Sequence, residues 1–213
     1  MQSQREKDWN QRYLDSDTPW EDLEPYLDLD KILSKYGKRN SSVLEIGCGL
    51  GKNAYYLASL GYRVTAIDIS EQAVELASNR FRHSNLKFHC FDFIQSDLGR
   101  KFDVAFDKGC LHSFTHQESY NHFAKSVAEN LVEEGIWINI SGNADHPDDL
   151  AKRMADSYPR LSLSNLAMAV EPFFEVQEIR NTHYGKEVSF LAWLGVFKKR
   201  QYFYTEKQMV CPL

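Results

Sequence analysis

The chain of 213 residues contains no run of about 18 consecutive apolar residues, which excludes an ordinary membrane-spanning helix. It has no basic excess: 25 Lys and Arg stand against 30 Asp and Glu, for a net charge of −5. Nucleic-acid binders carry a basic surplus or patch, so no nucleic-acid partner is expected. Cysteine is scarce. Cys48, Cys90, Cys110 and Cys211 do not make a disulfide framework in a chain this long. The opening MQSQREKDWNQRY has no apolar signal-peptide core, so a cytoplasmic protein is expected, as a monomer or weak homodimer. Internal repeats and low-complexity segments are also missing. What is present, 43% hydrophobic and 13% aromatic residues, suffices for one domain with a sizeable core.

From Ser41 onward, short apolar runs alternate with stretches of helical period, the pattern of an α/β fold. Strands are predicted at Ser42–Gly47, Arg63–Asp68, Leu86–Cys90, Phe102–Phe106 and Ile136–Ile140. Helices are predicted at Lys52–Leu60, at Glu71–Phe81 with Ser70 as its cap, and at Gln117–Leu131 with a stop near Gly135. The β-branched, apolar Ile136–Ile140 reads as a strand buried on both faces, as in a parallel sheet. Further on, Pro147–Met154 and Ser164–Val170 read as helices separated by Tyr158–Pro159. Phe173–Arg180 and Val188–Phe197 then read as two strands paired antiparallel. The organisation is a single domain: a segment 1–40 rich in Trp, Tyr and acid, a core 41–199, and a tail 200–213.

The most informative segment is Val43-Leu-Glu-Ile-Gly47-Cys48-Gly49-Leu50-Gly51-Lys52, a strand entering a glycine turn and then a helix. Glycines there permit a sharp turn and close approach of a ligand to the main chain. A P-loop would need glycine at position 46 and a hydroxyl residue at 53, where Ile46 and Asn53 stand. A dinucleotide fingerprint would need a third glycine at Lys52. What remains is G-x-G-x-G, with Glu45 ahead of it and Asp68 ending the second strand 17 residues beyond Gly51. An acid so placed can hold two ribose hydroxyls.

Val43–Gly51 with Asp68 resembles motifs I and II of the class I S-adenosylmethionine-dependent methyltransferases. The resemblance covers about Ser41 to Phe197. It implies a Rossmann-like, doubly wound α/β sheet of seven strands in the order 3-2-1-4-5-7-6, the last antiparallel. It implies that Glu45, Gly47, Cys48, Gly49, Gly51 and Asn53 surround the methionyl part of S-adenosylmethionine, and that Asp68 and Ile69 meet the ribose. Asp92 and Phe93 would meet the adenine, and Asp107 and Lys108 would stand beside the reacting methyl. No metal is expected.

Trp9-Asn-Gln-Arg12-Tyr13 and Thr18-Pro19-Trp20-Glu21 resemble the N-terminal segment of thiopurine-methyltransferase-like enzymes. Gly51–Asp68 is similar to tellurite-resistance methyltransferases. In the first group that segment folds over the cofactor as a lid, a role Trp9, Tyr13 and Trp20 would suit, because aromatics exclude water and can face a sulfonium. The alternative is that they pack against the sheet edge. Asp107-Lys108-Gly109 is shared with protein lysine methyltransferases of D-K-G-T-x-D type, but Cys110 and His112 replace the Thr and the final acid. A small-molecule acceptor is therefore expected, with a protein lysine acceptor second and a non-catalytic cofactor-binding subunit third.

His112 is the candidate general base, since it follows the fourth strand and imidazole titrates near neutrality. Asp107 is the candidate positioning group. Cys48, Cys90 and Cys110 fall at strand ends on one rim, which reads as small residues in tight turns rather than a soft metal site. His112 with His116 or His122 makes a poor zinc spacing. Residues 15–30 hold seven acids and no base, read as a solvated stretch rather than an acidic mouth. Lys198-Lys199-Arg200 is too short to argue for RNA. The connection Ser141–Asn165, with Trp20 and Tyr26, would select the acceptor.

Overall fold

The computed structural model describes residues 4–18, 20, 21, 24–37, 40–95, 98–145, 160–184 and 190–201. Helices α1 (Gln4–Leu14) and α2 (Asp28–Tyr36) precede a run of βα units. These are β1 (Ser42–Ile46), α3 (Lys52–Ser59), β2 (Arg63–Asp68), α4 (Glu71–Arg80), β3 (Leu86–Cys90) and β4 (Phe102–Lys108). A 3-10 turn at Leu111–Ser113, α5 (Gln117–Glu129), β5 (Leu131–Gly142), α6 (Leu163–Val170), β6 (Phe174–Tyr184) and β7 (Phe190–Lys199) follow. The predicted helix at Pro147–Met154 and the break at Tyr158–Pro159 lie outside the described residues, as do Cys211 and most of the tail.

The strands form one sheet in the order β3-β2-β1-β4-β5-β7-β6. β1, β2, β3, β4 and β5 pair in parallel, and β7 runs antiparallel between β5 and β6. The expected order and the antiparallel last strand are both present. Alternation along the strands builds two cores. One face buries Leu44, Ala105, Trp137 and Phe197 beneath Phe123 and Val127 of α5 and Leu166 and Val170 of α6. The other buries Val43, Val64, Ile138 and Leu194 beneath Leu29, Ile32 and Leu33 of α2 and Ala54 and Leu57 of α3.

Several boundaries differ from the sequence reading. Helix α5 ends at Glu129, not at Leu131, because Leu131 is buried and already pairs with Phe102. The next regular pair is Ile136 with Val104, so residues 132–135 bulge out of β5. Glu134 takes a left-handed φ of 59° within that bulge. The final strands extend to Tyr184 and Lys199, past the predicted Arg180 and Phe197. Among the described residues no helix is long and apolar enough to cross a membrane.

Candidate functional site

Strand order runs in opposite directions on either side of β1, leaving a crevice at the carboxyl ends of β1, β2, β3 and β4, where ligands bind open α/β sheets. A cavity of about 590 Å³ occupies it. The glycine loop forms its floor. Gly47, Gly49 and Gly51 all have positive φ, at 69°, 52° and 78°, so the loop coils in a way side chains resist. A Cβ on Gly47 would come 3.2 Å from Cys110 Sγ, which shows how closely the turns after β1 and β4 approach. Gly47, Cys48, Gly49 and Asn53 line the cavity. Gly51 does not. A Cβ there would meet the Phe88 ring at 2.7 Å and Ala77 at 3.0 Å, so this glycine serves helix-to-strand packing.

Asp68 is buried at the end of β2 and lines the cavity. One carboxylate oxygen accepts the Gly49 N–H at 2.9 Å and the other accepts the Ser70 N–H at 2.9 Å. The acid therefore fixes the glycine loop to the turn that starts α4. Ile69 lies beside it in the wall, and Asp92 and Phe93 follow β3. Asp92 Oδ1 accepts the Ile94 N–H at 3.1 Å, an Asx turn that sets the loop's shape.

Glu45 lies on the cavity wall yet is 2% exposed. Its carboxyl bonds the Asn53 amide, whose oxygen accepts the Tyr26 N–H at 2.8 Å. Burial pushes its pKa up to about 8, opposed by the bond to Asn53 and by the Lys108 ammonium. Its Oε2 is buried without a hydrogen-bond partner. Such an oxygen is costly to leave unmatched and suits a cationic ligand group. Burial, reinforced by Asp68 and Glu45, also raises the Cys48 thiol well above its ordinary pKa, so it stays protonated.

Asp107 is not where the sequence reading put it. Its carboxylate is fully buried and turned into the sheet, where it accepts Trp137 Nε1–H at 2.8 Å and the Asn139 amide at 3.0 and 3.1 Å. It also accepts the Leu111 N–H at 3.1 Å, which shapes the turn after β4. Burial raises its pKa to about 6. Lys108, one pleat further on, faces the cavity with Gly109, Cys110 and His112. His112 is buried there, its Nδ1 accepting the Gly142 N–H at 2.7 Å. Burial, with Lys108 and Arg160, lowers its pKa to about 4. The candidate base is thus neutral near pH 7 and has its Nδ1 lone pair engaged.

A further wall comes from Trp9, Arg12, Tyr13, Trp20, Glu21 and Glu24. Trp9, Tyr13 and Trp20 all line the cavity rather than the sheet edge. Trp9 and Trp20 meet edge to face at 5.4 Å between centroids, and the Arg12 guanidinium lies 4.2 Å over Trp20. Helix α1 is moored by Asn10, whose side-chain oxygen accepts Ser70 Oγ–H at 2.8 Å and the Gln72 N–H at 3.1 Å. Ser70 in turn caps α4 as expected, accepting the Ala73 N–H. The acidic stretch is less solvated than it reads. Glu21 accepts the Leu50 N–H at 3.1 Å and sits 4.0 Å from Lys52 Nζ, while Asp28 pairs with Lys31 and Arg180. Arg12 and Glu21 are thus site residues the motif reading missed. Tyr26, expected at the acceptor pocket, instead shares a hydrogen bond with Thr182 at 2.6 Å.

Cys48 and Cys110 border the cavity, whereas Cys90 is exposed and directs its Sγ to Ile69 O. His122 reaches Ile94 O from α5, apart from His112. Among the described residues no three His, Cys, Asp or Glu gather as a metal site.

This topology, with a glycine loop and a strand-two acid at the switch point, is the Rossmann-like methyltransferase fold. Residues 43–135, from β1 into β5, match the model of the methyltransferase domain family. An uncharacterised methyltransferase of Schizosaccharomyces pombe is 40% identical over 95 residues, 43% of this chain and 66% of that protein. Two further methyltransferases of that yeast are matched over 61% of their length. The chain therefore spans somewhat under two thirds of these curated relatives. Among solved structures, one concerning conversion of a disulfide bond into a thioacetal group during echinomycin biosynthesis superposes with TM-score 0.77 at 20% identity. That match covers 95% of each chain. The Burkholderia thailandensis 1,6-didemethyltoxoflavin-N1-methyltransferase, with its substrate and S-adenosylhomocysteine, gives TM-score 0.70 at 22% identity, over 92% of this chain and 87% of that one.

Proposed function

We propose that the protein transfers the methyl group of S-adenosylmethionine to a small-molecule acceptor by in-line displacement. The observation that carries this reading is Asp68, braced by the Gly49 and Ser70 amides and open to a cavity walled by Trp9, Tyr13 and Trp20. The residues fit the cofactor. The unmatched Glu45 Oε2 suits its ammonium, Asp68 its ribose hydroxyls, and the left-handed glycine loop leaves its main chain within a ligand's reach. When bound, S-adenosylmethionine supplies a methyl group already activated on a sulfonium.

The chain's own contribution is alignment and exclusion of water. Trp9 and Trp20 line the cavity, where aromatic rings help to exclude water. A cavity enclosed by α1 is suited to a small acceptor, whereas a protein lysine would need an open groove. The Burkholderia neighbour is a 1,6-didemethyltoxoflavin-N1-methyltransferase, in keeping with that choice.

Calorimetry of the full chain with S-adenosylhomocysteine, beside ATP and NADH, tests the cofactor. Micromolar binding of S-adenosylhomocysteine alone is expected, weakened at least about tenfold, or about 1.4 kcal/mol, in Asp68→Ala. Binding of NADH instead, or of none of the three, overturns the reading.

A further inference from the structure

Strand β1 carries one acid into the interior. Glu45 is buried at the cavity wall, and its lateral neighbours on β2 and β4 are Ala66 and Phe106, which bring no charge. Asn53 of α3 hydrogen-bonds it. The Asn53 oxygen already accepts the Tyr26 N–H at 2.8 Å, which leaves the amide nitrogen as the donor. Among the described residues Oε2 has no partner. One neutral hydrogen bond does not balance a buried negative charge, and a carboxyl so placed stays neutral by keeping its proton. The groups facing it from other elements do not reverse this. Lys108 at the end of β4 favours the charged form, whereas Asp68 at the end of β2 and Glu21 of the N-terminal segment oppose it. Cys48, beside it in the glycine loop, is held as the neutral thiol. The pKa of about 8 agrees with this geometry.

We infer that Glu45 is a proton-exchange site: it holds a proton in the ligand-free protein and yields it to solvent when a ligand's ammonium group settles against Oε2, so that loading the cavity expels one proton. The inference rests on the methyl-transfer reading above, which supplies the ammonium, and extends that reading from a contact to an exchange. In the exchange the O–H bond of the carboxylic acid breaks and its electron pair stays on oxygen. The proton passes to buffer, and the ligand's existing N–H groups donate to the carboxylate left behind. One positive charge enters the site as another leaves. A buried carboxylate matched by an ammonium and hydrogen-bonded is tolerated where an unmatched one is not. A nucleoside thioether without an amine offers no such match and leaves Glu45 protonated. Below about pH 8 the complex thus binds fewer protons than the ligand-free protein, so rising pH favours loading.

Calorimetry of the full chain with S-adenosylhomocysteine, repeated near pH 7 in buffers of different ionisation enthalpy, counts the protons exchanged. Release approaching one proton per ligand is expected, with an affinity that rises about tenfold from pH 6 to pH 7. The analogue 4-(5′-deoxyadenosylthio)butanoate keeps the carboxylate and lacks only the amine; it is expected to bind without release. Glu45→Gln should abolish the release and flatten the pH dependence of S-adenosylhomocysteine binding. Wild-type protein labelled with 13C at its glutamate carboxyls reads the same proton with no substitution. One resonance is expected to titrate near pH 8 in the ligand-free protein and to take the ionised position at pH 7 once S-adenosylhomocysteine is added. Binding without release, equal release with the amine-free analogue, release that persists in Glu45→Gln, or glutamates that all titrate near the ordinary 4.5 would each overturn the exchange and leave the methyl-transfer reading standing. Failure of S-adenosylhomocysteine to bind at all overturns that reading and the exchange with it.

Discussion

Asp68 and Asp107 are both strand-end acids, and only the first faces the cavity. The pleat decides this. A strand turns each successive side chain to the opposite face, so a register difference of one residue separates a ligand contact from a buried brace. The glycine loop was legible because its positive φ values restrict residue type locally. Asp107's direction depended on Trp137 and Asn139, thirty and thirty-two residues further along. Glu45 carries a testable consequence. Folded, it keeps its proton up to about pH 8; an unfolded chain loses it near the ordinary 4.5. Between those values the folded state binds more protons, so rising pH favours unfolding. Asp107 acts in the same sense but is spent by about pH 6, and His112, held near 4, acts in the opposite sense only below its ordinary 6.5. From about pH 6.5 to 8, Glu45 alone of the three still titrates. The stability of the ligand-free protein, followed by its Tm, should fall across that window by up to about 1.4 kcal/mol per pH unit, and Glu45→Gln should flatten the slope. Equal slopes for both proteins would contradict the assignment.

At the scale of elements, the cavity depends on how α1 is attached. One anchor is Asn10, inserted at the start of α4 where Ser70 already serves as cap. No motif announces this contact. An asparagine on a polar helix reads the same whether it is solvated or docked, and the acids near Glu21 share that ambiguity. Asn10→Ala should cost about 1 kcal/mol, as loss of a cap contact does. It should also weaken S-adenosylhomocysteine binding and shift Trp9 and Trp20 emission to the red. Asn10→Asp keeps both acceptor contacts and adds negative charge at a helix N-terminus, so it should retain binding. If Asn10→Ala bound the ligand as wild type does, the wall formed by α1 would be irrelevant to the site. The α5–β5 boundary was misplaced for a related reason. Gln117–Leu131 continues a helical pattern, but Leu131 gains more by joining the sheet, and the bulge at 132–135 absorbs the mismatch.

For the whole molecule, the alternation of apolar runs gave the α/β class and the family resemblance alone implied the strand order, while the paired β6 and β7 were visible as long strands in succession. Helix α2 was readable but unread: Leu29, Ile32 and Leu33 sit at i, i+3 and i+4, the spacing of a buried helical face. That helix lies across the second core and is clamped to β6. Glu178 accepts bonds from Tyr36 at 2.9 Å, Lys35 at 3.1 Å and Arg180 at 2.9 Å, and Arg180 reaches back to Asp28 at 3.4 Å. The partners hold Glu178 below the usual carboxylate range, the Tyr36 hydroxyl foremost. Glu178→Ala should lower stability by about 1 kcal/mol in dilute buffer and by less in molar salt, as a partly exposed network does. An effect indifferent to salt would assign its worth to packing instead.

The same clamp sets the order in which the molecule can be completed. Asp28 and Arg180 are 152 positions apart, and Leu29, Ile32 and Leu33 share their core with Ala192, Leu194 and Val196. During synthesis the ribosome releases α2 long before β6 and β7 exist, so the earliest greasy helix waits with its partner surface unmade. Until the hairpin arrives, that stripe is exposed to whatever else is in the cell, and the nascent chain is a natural client for a chaperone.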